Sequence, residues 1–231
     1  MKEFLSILFT VVFSYLIGSI NSAITVCRLL KKKDIRDYGS GNAGLTNVLR
    51  VFGKGPALAT LIADLAKGVI AVVVCRVVVT YGFDIVFFDN KLFIGYIAGL
   101  AVMLGHIFPV FYGFHGGKGV LITATTLLAI DPLTCLLSVT VFAIILAISK
   151  YVSLSSICAA IAYPIFTVLT QNWRGIEAHW VNAGMACIFS AFIIFMHRSN
   201  IQRLLNGTEN KFGSKSKSKD NGDTDDNTEE E

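Results

Sequence analysis

Long apolar runs separated by short polar segments dominate the chain. The runs cover residues 4–27, 57–79, 92–112, 120–149, 154–171 and 179–196. A helix that crosses a bilayer needs about 20 apolar residues, so most of these runs have the length of one pass. The run 120–149 is interrupted by Asp131-Pro132, and proline after aspartate favours a turn. We therefore predict a tight hairpin of two short helices there, and an all-α, polytopic membrane protein with seven transmembrane helices.

The placement of basic residues predicts the orientation of these helices. With seven spans and the amino terminus outside, 14 of the 20 basic residues lie on the cytoplasmic side. They are Lys31, Lys32, Lys33, Arg36, Arg50, Lys54, Lys118, Lys150, Arg198, Arg203, Lys211, Lys215, Lys217 and Lys219. A six-span arrangement would move Lys150 and the six carboxy-terminal residues outside. Because cytoplasmic loops are enriched in lysine and arginine, we predict seven spans and a cytoplasmic carboxy terminus.

Composition separates a membrane domain from a tail. The chain is 54% hydrophobic and 16% charged, whereas soluble domains carry about 25% charge. This excludes an ordinary soluble globule and a wholly disordered chain. Residues 206–231 hold eight acids and four lysines, a net charge of −4, which leaves +8 for residues 1–205. We predict a membrane domain over 1–205 and a disordered, charged cytoplasmic tail over 206–231.

The first polar segment, residues 39–50, has the composition of an anion-binding loop. Its candidate binding residues are Ser40, Gly41, Asn42, Thr46, Asn47 and Arg50. Glycines allow backbone N–H groups to approach an anion closely, and the short polar side chains add donors. Arg50 can bind phosphate through two parallel hydrogen bonds. A plain solvated loop is the alternative.

The second polar segment, residues 105–119, contains Gly116-Gly117-Lys118-Gly119 just before a predicted helix. Helix amino termini carry partial positive charge, so this is a candidate phosphate cradle. It is not a nucleotide P-loop, because Tyr112 and Gly119 occupy the required glycine and Ser/Thr positions. His106 is a candidate base or phosphate donor, and a structural hydrogen-bonding role is equally compatible with it.

Two further polar segments fall on the same predicted face. Lys150–Ser156 supplies Ser153 and Ser155 as phosphate ligands or simple helix caps. His197–Asn200 closes the last span as a second basic cluster or an interfacial anchor. Asp64 and Lys67, one turn apart inside a span, fit a scaffold for the first polar segment. The sequence contains no cluster of carboxylates that would predict a metal site. A transporter for a phosphorylated metabolite is disfavoured because the sequence contains no internal repeat.

The motifs together resemble those of the bacterial acyl-phosphate:glycerol-3-phosphate acyltransferases, the PlsY family. Residues 40–50 are similar to its SGNPGATNVLR motif, 105–119 to GHxFPVFxxFKGGKG, and 150–156 to (R/K)YVSLSS; residues 197–201 resemble its closing segment. This chain departs from those motifs at Ala43, Leu45 and His115. The last departure leaves Lys118 as the sole lysine of the cradle.

The resemblance implies transfer of an acyl group from acyl phosphate to the 1-hydroxyl of glycerol 3-phosphate, giving lysophosphatidic acid and phosphate. It implies that Ser40, Arg50, Lys118 and Ser153 or Ser155 hold phosphate, with backbone donors from Gly116, Gly117 and Gly119. His197 and Asn200 would orient glycerol 3-phosphate, and the base would be His106 or a substrate phosphate oxygen. We expect no cofactor, metal or nucleic acid, and a location in the bacterial cell membrane with the site on the cytoplasmic face. The oligomeric state is left open.

Overall fold

The computed structural model describes residues 1–213, and these form ten α-helices without a named strand. The helices are α1 Lys2–Ser19, α2 Ser22–Lys31, α3 Leu45–Phe52, α4 Lys54–Arg76, α5 Phe93–Ile107, α6 Val120–Ile130, α7 Pro132–Ser149, α8 Val152–Trp173, α9 His179–Met196 and α10 Arg198–Leu205. The predicted all-α class is confirmed for this part of the chain.

The run 120–149 forms the predicted hairpin. Helix α6 ends at Ile130, and Pro132 is the first residue of α7, where its missing N–H has no helical partner to lose. The Asp131 carboxylate caps α7 by accepting a hydrogen bond of 3.3 Å from the Thr134 backbone N–H. The Asp-Pro pair therefore ends one helix and begins the next within a single residue.

Six helical stretches within residues 1–213 are long and apolar enough to cross a bilayer. The seventh predicted pass corresponds to α6, which has only 11 residues. At 1.5 Å per residue it extends roughly 16 Å, about half of the bilayer core. Length alone thus supports six of the seven predicted passes.

The pattern suggested one continuous helix for the first apolar run, but the structure breaks it into two helices. Helix α1 stops at Ser19, and Asn21 begins α2 by accepting a hydrogen bond of 3.1 Å from the Ile24 N–H. The Lys67 ammonium donates to the Ile20 carbonyl at 3.1 Å, which satisfies an acceptor that the break leaves free. The buried pair Asp64–Lys67 therefore supports the turn before the first polar segment.

Helix α1 is packed with its small polar face inward. Ser6, Thr10, Ser14 and Gly18 are buried, while large apolar side chains such as Phe4 point outward. The backbones of α1 and α5 are in contact where Gly18 faces the Val102 carbonyl, and a Cβ at Gly18 would collide with it. Small residues between helices and large apolar residues outside are typical of proteins surrounded by lipid.

A buried polar network around Asp131 connects the helices at the end of the bundle that contains the α6–α7 turn. Its carboxylate accepts hydrogen bonds of 2.9 Å from Thr134 Oγ1 and Gln171 Nε2, and pairs with Arg174. Asn182 donates to Gln171 Oε1 at 2.7 Å, which adds α9 to the network. These bonds connect the α6–α7 hairpin with α8 and α9.

The predicted tail over 206–231 lies largely outside the described residues, since the structure describes none beyond Gly213. Its first eight residues are placed against the body. The Phe212 N–H donates to the Lys150 carbonyl at 2.7 Å, and Glu209 is hydrogen-bonded to three side chains. Part of the predicted tail therefore contacts the membrane domain, and the division at residue 205 stays a prediction. The disorder predicted for residues 214–231 stays a prediction.

Candidate active site

The four polar segments meet at one end of the bundle and surround a single cavity of about 870 Å³. They are the α2–α3 connection, the α5–α6 connection, the start of α8 and the α9–α10 junction. Ligand pockets commonly measure about 300–1,000 Å³, so the cavity has room for more than one small molecule.

Asn47 organises the first segment. Its amide nitrogen donates to the Tyr38 and Asn42 carbonyls at 2.9 and 3.1 Å, and its oxygen accepts from the Ser40 N–H at 3.0 Å. All of these bonds are made to the loop itself. Asn47 therefore holds Ser40 and Asn42 at the cavity wall, and its role as a substrate ligand stays a prediction.

Arg36 connects the first segment to the second. Its Nη1 donates to the Tyr112 carbonyl at 2.7 Å, and its Nε and Nη2 bind the Asp34 carboxylate at 3.0 and 2.9 Å. The hydrogen bond from Arg36 holds the pKa of Asp34 well below its usual range. Arg36 thus stays charged and bound while it fixes one loop against the other.

The Gly-Gly-Lys-Gly turn is packed tightly on His106. A Cβ on Gly117 would collide with His106 Nε2, and Gly119 adopts a left-handed backbone with φ of 82° just before α6. Larger residues at these positions would push the turn off the histidine or strain its backbone. The glycines therefore allow the turn to pack closely against His106, a contact that the sequence motif alone does not reveal.

Lys118 enters the cavity and contacts the amide oxygen of Asn200. Burial lowers its pKa to about 8, and the charges of Arg203 and Arg50 act in the same direction. The Glu209 carboxylate opposes that shift. Within residues 1–213, the Arg50 guanidinium makes no hydrogen bond, so its donors are available to an anion.

His197 presents an acceptor to the cavity. Its Nδ1 lies 2.7 Å from the Ile193 carbonyl, which can only accept, so Nδ1 carries the proton and Nε2 a lone pair. Burial lowers the pKa of His197 to about 4, although the bond to Ile193 opposes this shift. The neutral ring is suited to accept a hydrogen bond from a hydroxyl group.

Thirteen of the fifteen site residues suggested by the sequence line this cavity. They are Ser40, Gly41, Asn42, Thr46, Asn47, Arg50, His106, Gly116, Lys118, Gly119, Ser153, His197 and Asn200. Gly117 and Ser155 do not line it. Gly117 is behind the wall on His106, and the Ser155 hydroxyl donates to the Tyr151 carbonyl at 2.8 Å inside α8.

Three charged residues of the cavity were not singled out from the sequence: Arg36, Arg203 and Glu209. Arg36 and Arg203 were counted only as cytoplasmic charges, and Glu209 was assigned to the tail by composition. An acidic residue two positions after Asn206-Gly207 offers no local signal for a site. Its partners Ser153 and Asn200 become neighbours only through the packing of α8 against α10.

A largely apolar part of the cavity wall, in which Thr123, Ser138 and Ser156 are also present, extends between the helices. It is formed by Leu121, Ala124, Leu127, Val139, Phe142 and Ala159 from α6, α7 and α8. The cavity therefore joins a cationic, hydrogen-bonding end to an apolar channel. That combination suits an amphiphile with an anionic head and a hydrocarbon chain.

Comparisons with known proteins agree with this geometry. A family model described as "Glycerol-3-phosphate acyltransferase" matches residues 8–207. Proteins of that name from Clostridioides difficile and Thermosynechococcus vestitus are 39% and 42% identical, over 92% and 87% of this chain and 98% and 92% of their own.

Two solved structures of PlsY (YgiH), described as an integral membrane glycerol 3-phosphate acyltransferase, are 38% identical to this chain. They match with TM-scores of 0.75 and 0.73 and cover 90% of this chain and 96% of the solved one. One is the glycerol 3-phosphate form and the other the lysophosphatidic acid form.

Proposed function

Because the chain belongs to the glycerol-3-phosphate acyltransferase family, we propose that it acylates the 1-hydroxyl of sn-glycerol 3-phosphate with acyl phosphate as donor. The products are lysophosphatidic acid and phosphate. Family membership makes the chain an integral membrane enzyme of phospholipid synthesis, and the transporter alternative is set aside.

The observation that carries the proposal is that two cationic side chains and a largely apolar channel lie in one cavity. Lys118 and Arg50 stand at its polar end, and the channel between α6, α7 and α8 leads away from them. Two phosphorylated reactants need two cationic groups, and a fatty acyl chain needs an apolar surface. The glycerol 3-phosphate form and the lysophosphatidic acid form of the related structures are consistent with this pairing.

The chemistry proposed is direct transfer. The 1-hydroxyl oxygen attacks the acyl carbonyl carbon, the bond from that carbon to the phosphate oxygen breaks, and phosphate leaves with the electron pair. The hydroxyl proton passes to a phosphate oxygen. Within the described residues, no serine or cysteine is hydrogen-bonded to a histidine, so the cavity offers no activated nucleophile for an acyl-enzyme.

In this mechanism the protein contributes positioning and electrostatic stabilisation. Arg50 and Lys118 bind the phosphates together with Ser40 and the backbone of Gly116 and Gly119. His197 and Asn200 orient the glycerol moiety, His197 through the lone pair of Nε2. An acyl phosphate is already activated, so departure of its phosphate needs little protonation.

We propose that the chain crosses the bacterial cell membrane seven times, with the amino terminus outside and the site on the cytoplasmic face. Support comes from the basic residues near the cavity end of the bundle, among them Arg36, Arg50 and Lys54. Helix α6 would then be a short pass completed by its flanking polar segments. The test replaces Glu177 or Lys211 with cysteine and labels the cells with a thiol reagent that does not cross the membrane. Glu177→Cys should be labelled on intact cells, and Lys211→Cys only on opened cells.

The activity is tested with purified protein and labelled glycerol 3-phosphate, offered palmitoyl phosphate, palmitoyl-CoA or palmitoyl acyl carrier protein in turn. We expect lysophosphatidic acid and stoichiometric phosphate from palmitoyl phosphate alone. Product from either thioester at a comparable rate would contradict the proposed donor. Arg50→Ala is expected to abolish most of the activity, and Lys54→Ala, a neighbouring basic residue outside the cavity, to leave it unchanged.

A further inference from the structure

Glu209 brings three side chains of the cavity together through one carboxylate. Its Oε1 accepts hydrogen bonds from Ser153 Oγ at 3.0 Å and Asn200 Nδ2 at 2.8 Å, and its Oε2 binds Arg203 Nε at 2.7 Å. The Glu209 side chain is only 9% exposed. A carboxylate in a site for anionic substrates works against their binding unless it serves the groups around it.

The contact with Glu209 decides how the Asn200 amide is oriented. Only its NH₂ group can donate to a carboxylate, and only its oxygen can face the ammonium of Lys118, which it contacts. Glu209 and Lys118 therefore select the same orientation from opposite sides of the amide. The result is a chain of contacts from Glu209 through Asn200 to Lys118.

The backbone around Glu209 is held on both sides. The Thr208 N–H donates to the Arg203 carbonyl at 2.8 Å, and the Phe212 N–H donates to the Lys150 carbonyl at 2.7 Å. The carboxylate is thus a built-in part of the wall. The hydrogen bonds from Asn200, Arg203 and Ser153 outweigh burial and lower the pKa of Glu209, which makes it a poor proton acceptor.

Glu209 also balances the cations of the cavity. The charged and titratable groups around Lys118 are Arg50 on α3, His197 at the α9–α10 junction, Arg203 on α10 and Glu209 itself. Arg203 and Arg50 lower the pKa of Lys118, and Glu209 raises it. Removing the carboxylate would leave Lys118 beside uncompensated positive charge.

We propose that Glu209 is a positioning residue of the acyltransferase site, which holds Ser153, Asn200 and Arg203 and directs Asn200 onto Lys118. The inference rests on the proposed function, since Lys118 and Asn200 act there on the substrates. It assigns a role to a segment that lies beyond the last helix. Glu209 itself touches no substrate in this arrangement.

The test compares Glu209→Gln, Glu209→Asp and the matched control Glu177→Gln, an exposed glutamate at the other end of the bundle. For each purified variant, kcat and KM for both substrates are measured between pH 6 and 10, together with the thermal unfolding midpoint. We expect Glu209→Gln to lower kcat/KM by about tenfold and to move the alkaline limb down by about half a pH unit or more. Glu209→Asp should recover part of both effects, and Glu177→Gln should match wild type.

A Glu209→Gln variant with wild-type kcat/KM and pH profile would overturn the inference. So would a loss of activity that follows a lower unfolding midpoint while the pH profile stays unchanged, because that result indicates support of the fold alone. Failure of the proposed function is distinct, since wild-type protein would then make no lysophosphatidic acid from acyl phosphate. Binding of glycerol 3-phosphate to the variants, measured by calorimetry, provides a readout independent of turnover.

Discussion

Lys67 Nζ lies 3.2 Å from His106 Nδ1. An ammonium has no lone pair, so this histidine nitrogen must accept the hydrogen bond and the ring proton must be on Nε2. The pairing of Lys67 with Asp64, at 2.9 Å, keeps the ammonium in place. His106 therefore offers an N–H donor at Nε2. A general base would instead need a free lone pair on Nε2.

We predict that His106→Gln, which retains an N–H near the position of Nε2, keeps kcat within about tenfold of wild type. His106→Ala should lose more, because the donor and the packing surface for Gly117 are both removed. Steady-state kinetics of the two variants with acyl phosphate checks this. Equal loss in both variants, with a vanished acidic limb of the pH profile, would instead indicate a histidine base.

Activity is predicted to decline above about pH 8, where Lys118 loses its proton. The pKa of Lys118 is lowered to about 8, so the charged form is present below this value and is lost as the pH rises through it. Lys118→Arg stays charged at all these pH values and should remove the alkaline decline even if kcat falls. Profiles of kcat/KM against pH measure this. A wild-type profile that stays flat to pH 10 would contradict the assignment.

Asp131→Asn is predicted to destabilise the protein by about 2–4 kcal/mol, because its buried carboxylate has partners on α7 and α8. Burial raises the pKa of Asp131, but hydrogen bonds from Gln171, Arg174 and Thr134 outweigh it and lower the pKa overall. The carboxylate therefore adds stability above about pH 4, and that stability is lost as the pH falls further. Thermal unfolding in detergent measures both effects.

Asp84→Asn is the control for this substitution, since Asp84 is an exposed aspartate in the loop before α5. Its unfolding midpoint should match wild type at every pH. If Asp131→Asn were equally stable, the network at this end of the bundle would contribute nothing measurable to the fold.

His115→Lys is predicted to lower KM for the anionic substrates by about two- to threefold at low salt. His115 is exposed at the cavity mouth, and an added positive charge there attracts phosphates without a direct contact. The gain should disappear in about 0.5 M salt, where screening is strong. His179→Lys, the same change at the far end of the bundle, should have no effect. Salt-independent KM values for His115→Lys would refute the electrostatic explanation.

The helical architecture could be predicted from the sequence because a bilayer imposes a local requirement. Each pass must satisfy its own backbone hydrogen bonds and present apolar side chains, so the pattern marks its approximate length. The α6–α7 break at Asp131-Pro132 followed from two adjacent residues. The break at Ile20–Asn21 was not predicted, although Asn21 caps α2; Lys67, from another helix, binds the carbonyl that this break leaves free.

The motifs by themselves determined the family and the membrane location, and 13 of the 15 site residues that they suggested line the cavity. The tertiary structure decided which contacts these residues make: Asn47 is bonded to its own loop, His106 faces an ammonium, and Glu209 accepts a hydrogen bond from Ser153. Glu209 and Ser153 are separated by 56 positions in the chain. A hydrogen-bond partner at that distance is selected by the packing of helices, which no local pattern of residue types encodes.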